Sequence, residues 1–340
     1  MLNKKSKIKI LCTLGPSSLN EVFLKFSKKN VSLLRLNMSH TRLNNLEKQI
    51  KFIKKYTNTP ICIDTEGAQI RTTKTSGKIK IKKNQKVILE YNNCKSNKSK
   101  ICLYPKTNFL NFKKGSKIYI GFEELVLKIE KIYQNKLIAK VIEEGFLESN
   151  KGVHFQDNIK LQSLTNKDIK AISIAKKYNI KYFALSFANS NKDITTIKKL
   201  LNKNDFLISK IETKQGFINR KEIIKNSDAV LIDRGDLSRY VKIQKIPIAQ
   251  RIILDSAKKN KKDVFIATNL LESMIEKKNP TRAESNDVYF SLLSGAKGLV
   301  LAAESAIGKY PIESVNFLKE MIELFKLNKI NKVKETYLFN

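Results

Sequence analysis

Short apolar runs alternate with longer amphipathic runs along most of this 340-residue chain. Lys9–Thr13, Ser32–Leu36 and Pro60–Asp64 are brief and rich in β-formers, which predicts strands. Leu19–Lys28 and Leu43–Lys54 space their apolar positions three and four apart, which predicts helices between those strands. From Thr72 to about Gln156 the helical spacing disappears. Val87–Leu89, Lys117–Ile120, Leu125–Ile129 and Leu137–Ile142 are short or alternating apolar runs punctuated by Gly77, Gly115 and Gly121, the pattern of an all-β insertion. The first rhythm then resumes. Strands are predicted over Lys181–Phe187, Phe206–Ile211, Ala229–Ile232, Val264–Ala267 and Gly298–Leu301. Helices are predicted over Asn166–Lys177 (with Thr165 as N-cap), Asp193–Leu201, Phe217–Lys225, Ile248–Ala257, Arg282–Leu293 and Pro311–Leu327.

Eight strands alternating with about eight helices is the count of an α/β protein of (β/α)8 TIM-barrel type. The expected organisation is a barrel built from residues 1–71 and 157–340, with a small β-barrel lid, residues 72–156, inserted after the third strand. The last dozen residues, rich in Lys and Asn, are expected to fray.

Polar clusters close several of the apolar runs: Ser209-Lys210-Ile211-Glu212, Arg234-Gly235-Asp236, Ala267-Thr268-Asn269 and Ala302-Ala303-Glu304-Ser305. Strand ends of a parallel barrel share one rim, where chemistry is built. A lysine and two carboxylates on that rim suit a metal-assisted reaction on an anionic, phosphorylated substrate. Lys210 and Glu212 are two apart, so both face one side of their strand.

Composition changes this picture little. The net charge is +35, but only eight of the 66 basic residues are Arg, and the lysines are scattered over predicted helices and strands. That reads as solvated surface; no specific nucleic-acid partner is expected, only non-specific polyanion binding at low salt. No apolar stretch approaches membrane-spanning length. The basic start precedes a run broken by Lys7 and Lys9, so a first strand is favoured over a signal peptide. Cys12, Cys62, Cys94 and Cys102 show no metal spacing and read as reduced thiols of a cytoplasmic protein.

With these segments placed, the chain resembles the pyruvate kinase family over nearly its whole length. The likeness is carried by Cys12-Thr13-Leu14-Gly15-Pro16-Ser17-Ser18, Arg35-Leu36-Asn37-Met38-Ser39-His40, Asp64-Thr65-Glu66-Gly67-Ala68-Gln69-Ile70-Arg71, Ser209–Glu212, Arg234–Leu237, Ala267–Met274 and Pro280–Glu284, all in order. The resemblance implies transfer of a phosphoryl group from phosphoenolpyruvate to ADP, giving pyruvate and ATP, the last step of glycolysis. It implies Glu212 and Asp236 as ligands of Mg²⁺ (or Mn²⁺). It makes Lys210 the stabiliser of the transferring group and the enolate oxygen, Arg35 the phosphate clamp, and Thr268 part of the protonation site. Gly235 and Asp236, at a helix start, would hold the substrate carboxylate. Asn37, Ser39, Asp64 and Thr65 would form a monovalent-cation pocket, and His40, Arg71 and Lys151 would face the nucleotide. A homo-oligomer is among the expectations.

The departures are specific. Glu66 stands where the family usually has Lys, and Ala68 replaces a proline. Asp233 stands where Ala is usual, adding negative charge near the substrate carboxylate. Gly121-Phe122-Glu123 replaces Asp-Asp-Gly in the lid. Gln69 stands where potassium-dependent members carry Glu, which leaves K⁺ open. Too few residues follow the eighth helix for the family's C-terminal regulatory domain, so hyperbolic kinetics without response to sugar phosphates is expected. A catalytically impaired paralogue, or a barrel enzyme acting on another enol-phosphate or 2-oxo acid, is the alternative reading.

Overall fold

The computed structural model describes residues 8–329 apart from 68, 93, 107, 122–124 and 158–160. Two compact units are present: Met1–Gly67 with Ser163–Asn340, and Ala68–Gln162. In the first, eight parallel strands close a barrel in sequential order: β1 (Lys9–Thr13), β2 (Leu33–Asn37), β3 (Ile61–Asp64), β4 (Tyr182–Leu185), β5 (Phe206–Ile211), β6 (Ala229–Asp233), β7 (Asp263–Ala267) and β8 (Gly298–Leu301).

The two-residue repeat of a strand sorts this barrel. Leu11, Leu33, Cys62, Ile208, Leu231 and Phe265 form its apolar interior. Their intervening neighbours, such as Leu34, Ile63, Leu207 and Ile232, pack against the surrounding helices. Gly298 makes room for the Phe265 ring, since a Cβ there would lie 2.0 Å from it. Two residues beyond Leu33, Cys62, Ile208 and Leu231, the same inward positions become Arg35, Asp64, Lys210 and Asp233, all buried.

The helix over Asn166–Lys177 has the predicted bounds, and Thr165 and Asp168 close a reciprocal capping box. The single helix predicted over Phe217–Lys225 is instead two, Lys214–Ile218 and Arg220–Asn226. Thr213 caps the first, and Asn219 leaves helical geometry between them. A short helix, Arg234–Ser238, starts directly at the end of β6 with Asp233 as its N-cap, where the resemblance implied a helix start.

The second unit is a closed seven-stranded barrel with its own core, including Val87, Leu89, Ile101, Ile118, Leu127 and Val141. Strand Ile70–Thr72 pairs there with Gly152–Phe155 and Lys100–Tyr104, so Ile70 and Arg71 belong to this barrel rather than to the larger one. Strands Lys86–Tyr91 and Lys100–Tyr104 run parallel, and the loop between them brings Cys94 to Cys102. These two form a disulfide, against the expectation of reduced thiols; Cys12 and Cys62 are free and buried. Ala68, Phe122, Glu123, the first seven residues and the last eleven lie outside the described residues. Among the described residues no helix is long and apolar enough to cross a membrane.

Candidate active site

Lys210, near the end of β5, is the hub of the rim. Its Nζ lies 2.8 Å from Glu212 Oε1, 3.4 Å from Asp64 Oδ2 and 3.7 Å from Asp233 Oδ2, and it donates to Ser186 Oγ at 3.1 Å. Asp64 is shared: Arg35 Nε donates to its Oδ2 at 2.7 Å, and Ser186 Oγ donates to its Oδ1 at 3.2 Å. Arg35 Nη1 also donates to Thr13 Oγ1 at 3.1 Å. Four strands thus contribute one continuous charged layer directly above the apolar interior.

Burial sets the electrostatics of this layer. By itself it would lower the pKa of Lys210, but the carboxylates of Asp64 and Glu212 outweigh it and raise the ammonium above the ordinary lysine range. Glu212 moves the opposite way for a carboxylate. Burial, opposed by Lys210 and reinforced by Asp233 and Asp236, pushes it up to about 8. Asp233 is held down: burial opposes, and the Lys210 ammonium and the Thr268 hydroxyl prevail. Glu212 Oε2 accepts the Phe187 N–H at 2.6 Å, while Oε1 pairs with Lys210 and is otherwise buried without a hydrogen bond.

Glu212, Asp233 and Asp236 each offer a carboxylate oxygen, all within 4.8 Å of one another. Lys210, Arg35 and the Arg239 Nε, 3.3 Å from Asp236 Oδ1, face these charges. Clustered carboxylates that oppose each other's ionisation fit a hard divalent cation such as Mg²⁺ or Mn²⁺.

The turn after β7 completes the rim. Thr268 and Asn269 both have positive φ, +75° and +56°. For β-branched Thr268 that conformation is strained. Arg234 secures it: Nε and Nη2 donate to the Thr268 carbonyl at 3.1 and 2.8 Å, Nη2 donates to the Asn269 carbonyl at 3.1 Å, and Nη1 pairs with Asp287. Thr268 Oγ1 donates to Asp233 Oδ1 at 2.6 Å. Gly235 lies so close beneath that a Cβ would meet Thr268 Cγ2 at 2.8 Å.

Of the residues expected from sequence, Arg35, Asp64, Lys210, Glu212, Gly235, Asp236 and Thr268 are linked by these contacts. Asn37 Oδ1 accepts the Ser39 N–H at 2.9 Å, and the His40 N–H donates to the Asn37 carbonyl at 3.1 Å, so these three form one turn after β2. Thr65 Oγ1 accepts the Ser186 N–H at 3.0 Å. Arg71 and Lys151 belong to the smaller barrel, where Arg71 Nη1 donates to the Asn150 carbonyl at 3.1 Å and Lys151 pairs with Glu148 at 3.2 Å. Glu66, the reversed charge, is answered by Lys167 at 3.0 Å. Glu304 is structural, accepting the N–H groups of Leu271 and Ala302 at 3.1 and 2.8 Å. Sequence reasoning missed two participants: Ser186, which bridges Lys210 and Asp64, and Asp233 as a member of the cluster. The repeat from Leu231 to Asp233 was a signal for the second.

The family model described as pyruvate kinase, barrel domain, matches residues 5–315. A pyruvate kinase of Thermococcus litoralis is 31% identical over 326 residues, covering 93% of this chain and 69% of that protein. One of Thermotoga maritima is 32% identical over 324 residues, covering 92% and 70%. One of Methanocaldococcus jannaschii is 34% identical over 332 residues, covering 95% and 70%.

Proposed function

We propose a phosphoryl transfer at this rim, and the premise is that the chain belongs to the pyruvate kinase family. The reaction moves the phosphoryl group of phosphoenolpyruvate to ADP. The bond from phosphorus to the enol oxygen breaks, a bond to the terminal oxygen of ADP forms, and the enolate takes a proton to become pyruvate. The observation that carries the reading is Lys210, a buried ammonium 2.8 Å from Glu212 within the Glu212, Asp233 and Asp236 cluster.

Each residue has a task that follows from its chemistry. Arg35, oriented by Asp64 and Thr13, presents its guanidinium fork to the phosphoryl oxygens. Lys210 is kept charged and is pre-positioned where negative charge develops on the phosphoryl group and the enol oxygen, at no cost in reorganisation. Glu212 and Asp236 would hold Mg²⁺ or Mn²⁺, which when bound neutralises phosphoryl charge. Thr268 and the turn at Gly235 shape the side on which the carboxylate and the enolate carbon are handled. The nucleotide-facing roles of His40, Arg71 and Lys151, and the monovalent-cation roles of Asn37, Ser39, Asp64 and Thr65, rest on the resemblance.

A coupled assay of pyruvate formation from phosphoenolpyruvate and ADP with Mg²⁺ tests the proposal. Turnover in the wild type that vanishes in Lys210→Met supports it; a wild type without turnover counts against it. The second reading, a barrel enzyme for another enol-phosphate or 2-oxo acid, is favoured by one observation. Asp233 already occupies the Thr268 hydroxyl, so the carboxylate side of this site differs chemically from one with Ala at that position.

A further inference from the structure

The Glu212, Asp233 and Asp236 cluster holds one carboxylate more than the two that the family resemblance assigns to the metal. We infer that Asp233 is a third carboxylate ligand of the divalent cation, held in place by Thr268; the inference rests on the metal reading of Glu212 and Asp236 given above.

Asp233 is the last residue of β6, 8% exposed, and continues the inward repeat of Leu231. Its side chain therefore meets the charged layer rather than solvent. Helix capping alone does not account for it. The capping contact, from Asp236 N to Oδ1, is 3.5 Å long, whereas the Thr268 hydroxyl donates to the same oxygen at 2.6 Å. Lys210 does not account for it either: at 3.7 Å from Oδ2 it is nearer to Glu212 and Asp64. A divalent cation beside Asp233 would add a direct partner to the longer-range attraction of Lys210 and Arg35. The place for that charge is shared, because an Asp233 oxygen lies within 4.8 Å of ligand oxygens on both Glu212 and Asp236. Glu212 Oε1, fully buried, has no hydrogen bond besides its 2.8 Å ion pair with Lys210.

The surroundings are built to hold Asp233 still. Thr268 is kept at φ +75° by Arg234, which grips its carbonyl, and in that strained conformation its hydroxyl reaches Asp233. Orientation of a ligand carboxylate by an outer hydrogen bond is a common device of metal sites. Mg²⁺ is usually held by one or two protein carboxylates together with substrate oxygens. A third protein carboxylate makes the ion less dependent on substrate, so this chain binds the cation tightly before any substrate arrives.

The test is titration of the full chain with Mn²⁺ in the absence of substrate, read by electron paramagnetic resonance. Asp233→Asn is expected to weaken binding by more than about tenfold, and Thr268→Val, which frees the carboxylate to rotate, by about tenfold. Asp233→Cys places a thiolate ligand in the site, so Cd²⁺ is expected to give a thiolate charge-transfer band that the wild type lacks. That band reports a direct bond, which a loss of charge or of a helix cap cannot imitate, and circular dichroism confirms that each variant is folded. Wild-type affinity in Asp233→Asn, with binding lost in Glu212→Gln, would overturn the third ligand and leave the metal reading standing. A folded Asp233→Cys without the band would also overturn it. Absence of Mn²⁺ binding by the wild type would overturn both.

Discussion

Lys210 near the end of β5 and Glu212 just beyond it stand two residues apart, and their head groups meet at 2.8 Å with both side chains closed to solvent. The spacing is what makes the meeting possible, since only i and i+2 project to the same face. The pair is not a closed unit, however. Lys210 also faces Asp64 and Asp233, and Glu212 faces Asp233 and Asp236, so among the described residues the layer carries more carboxylates than cations. A buried arrangement of this kind is poor as a device for stability. Under the proposed function it serves to stabilise a further cation and a transferring anion.

Removal of the hub should therefore cost stability as well as activity. Lys210→Met leaves Glu212 buried without its cation, for which breaking a buried pair typically costs about 3–5 kcal/mol. The upward-shifted Glu212 relieves part of this by taking up a proton. Urea denaturation of Lys210→Met, Glu212→Gln and the double variant should show that the double is less destabilised than the sum of the singles. Strict additivity would mean that the two do not interact. Turnover of Lys210→Met should fall by at least about a hundredfold.

Glu212 also predicts a pH dependence. Its pKa in the folded, metal-free protein is raised from 4.5 to about 8, so between these values the folded state binds more protons than the unfolded one. This group's contribution to stability is then full below about pH 4.5 and is lost as pH rises through about 8. Divalent metal requires the carboxylate, so metal binding should release a proton near neutral pH. Calorimetric Mg²⁺ titrations in buffers of different ionisation enthalpy check this. The released proton should be present at pH 7, diminished above pH 9, and missing in Glu212→Gln.

The barrel and most of its rim were legible because one rule governs both. The same two-residue repeat that places Leu33, Cys62 and Ile208 inside places Arg35, Asp64 and Lys210 just above them. Contacts that depend on backbone turns were not legible. The bond from Thr268 to Asp233 requires the left-handed turn at 268–269, which no propensity signals for a β-branched residue. The break at Asn219 was hidden inside a continuous helical spacing. The disulfide was hidden because Cys94, in the loop between two parallel-paired strands, meets Cys102 on the second of them, not through a recognisable motif.

Gly298→Ala should test the barrel interior without touching the rim. A Cβ at this position would sit 2.0 Å from the Phe265 ring, which is fully buried and has little room to retreat. Overpacking of this kind typically costs about 1–3 kcal/mol. A lower urea midpoint is expected, with Mn²⁺ affinity of the folded protein unchanged because Phe265 lies in the apolar interior below the charged layer.

Gly235→Ala should do the reverse, disturbing the site while sparing the core. Gly235 lies in the short helix that opens at the rim, where φ is not the constraint; the constraint is the approach of Thr268, whose Cγ2 would be 2.8 Å from the new methyl. Thr268 cannot yield freely, because Arg234 grips its carbonyl and Asp233 accepts its hydroxyl. The clash must displace either the threonine or the helix start that carries Asp236. A misplacement of about 1 Å at a reacting centre can cost about a hundredfold in rate, so kcat of Gly235→Ala should drop by tenfold to about a hundredfold. Its urea midpoint should move far less than that of Gly298→Ala. If kcat is retained, the tight approach of Gly235 to Thr268 has no part in the chemistry.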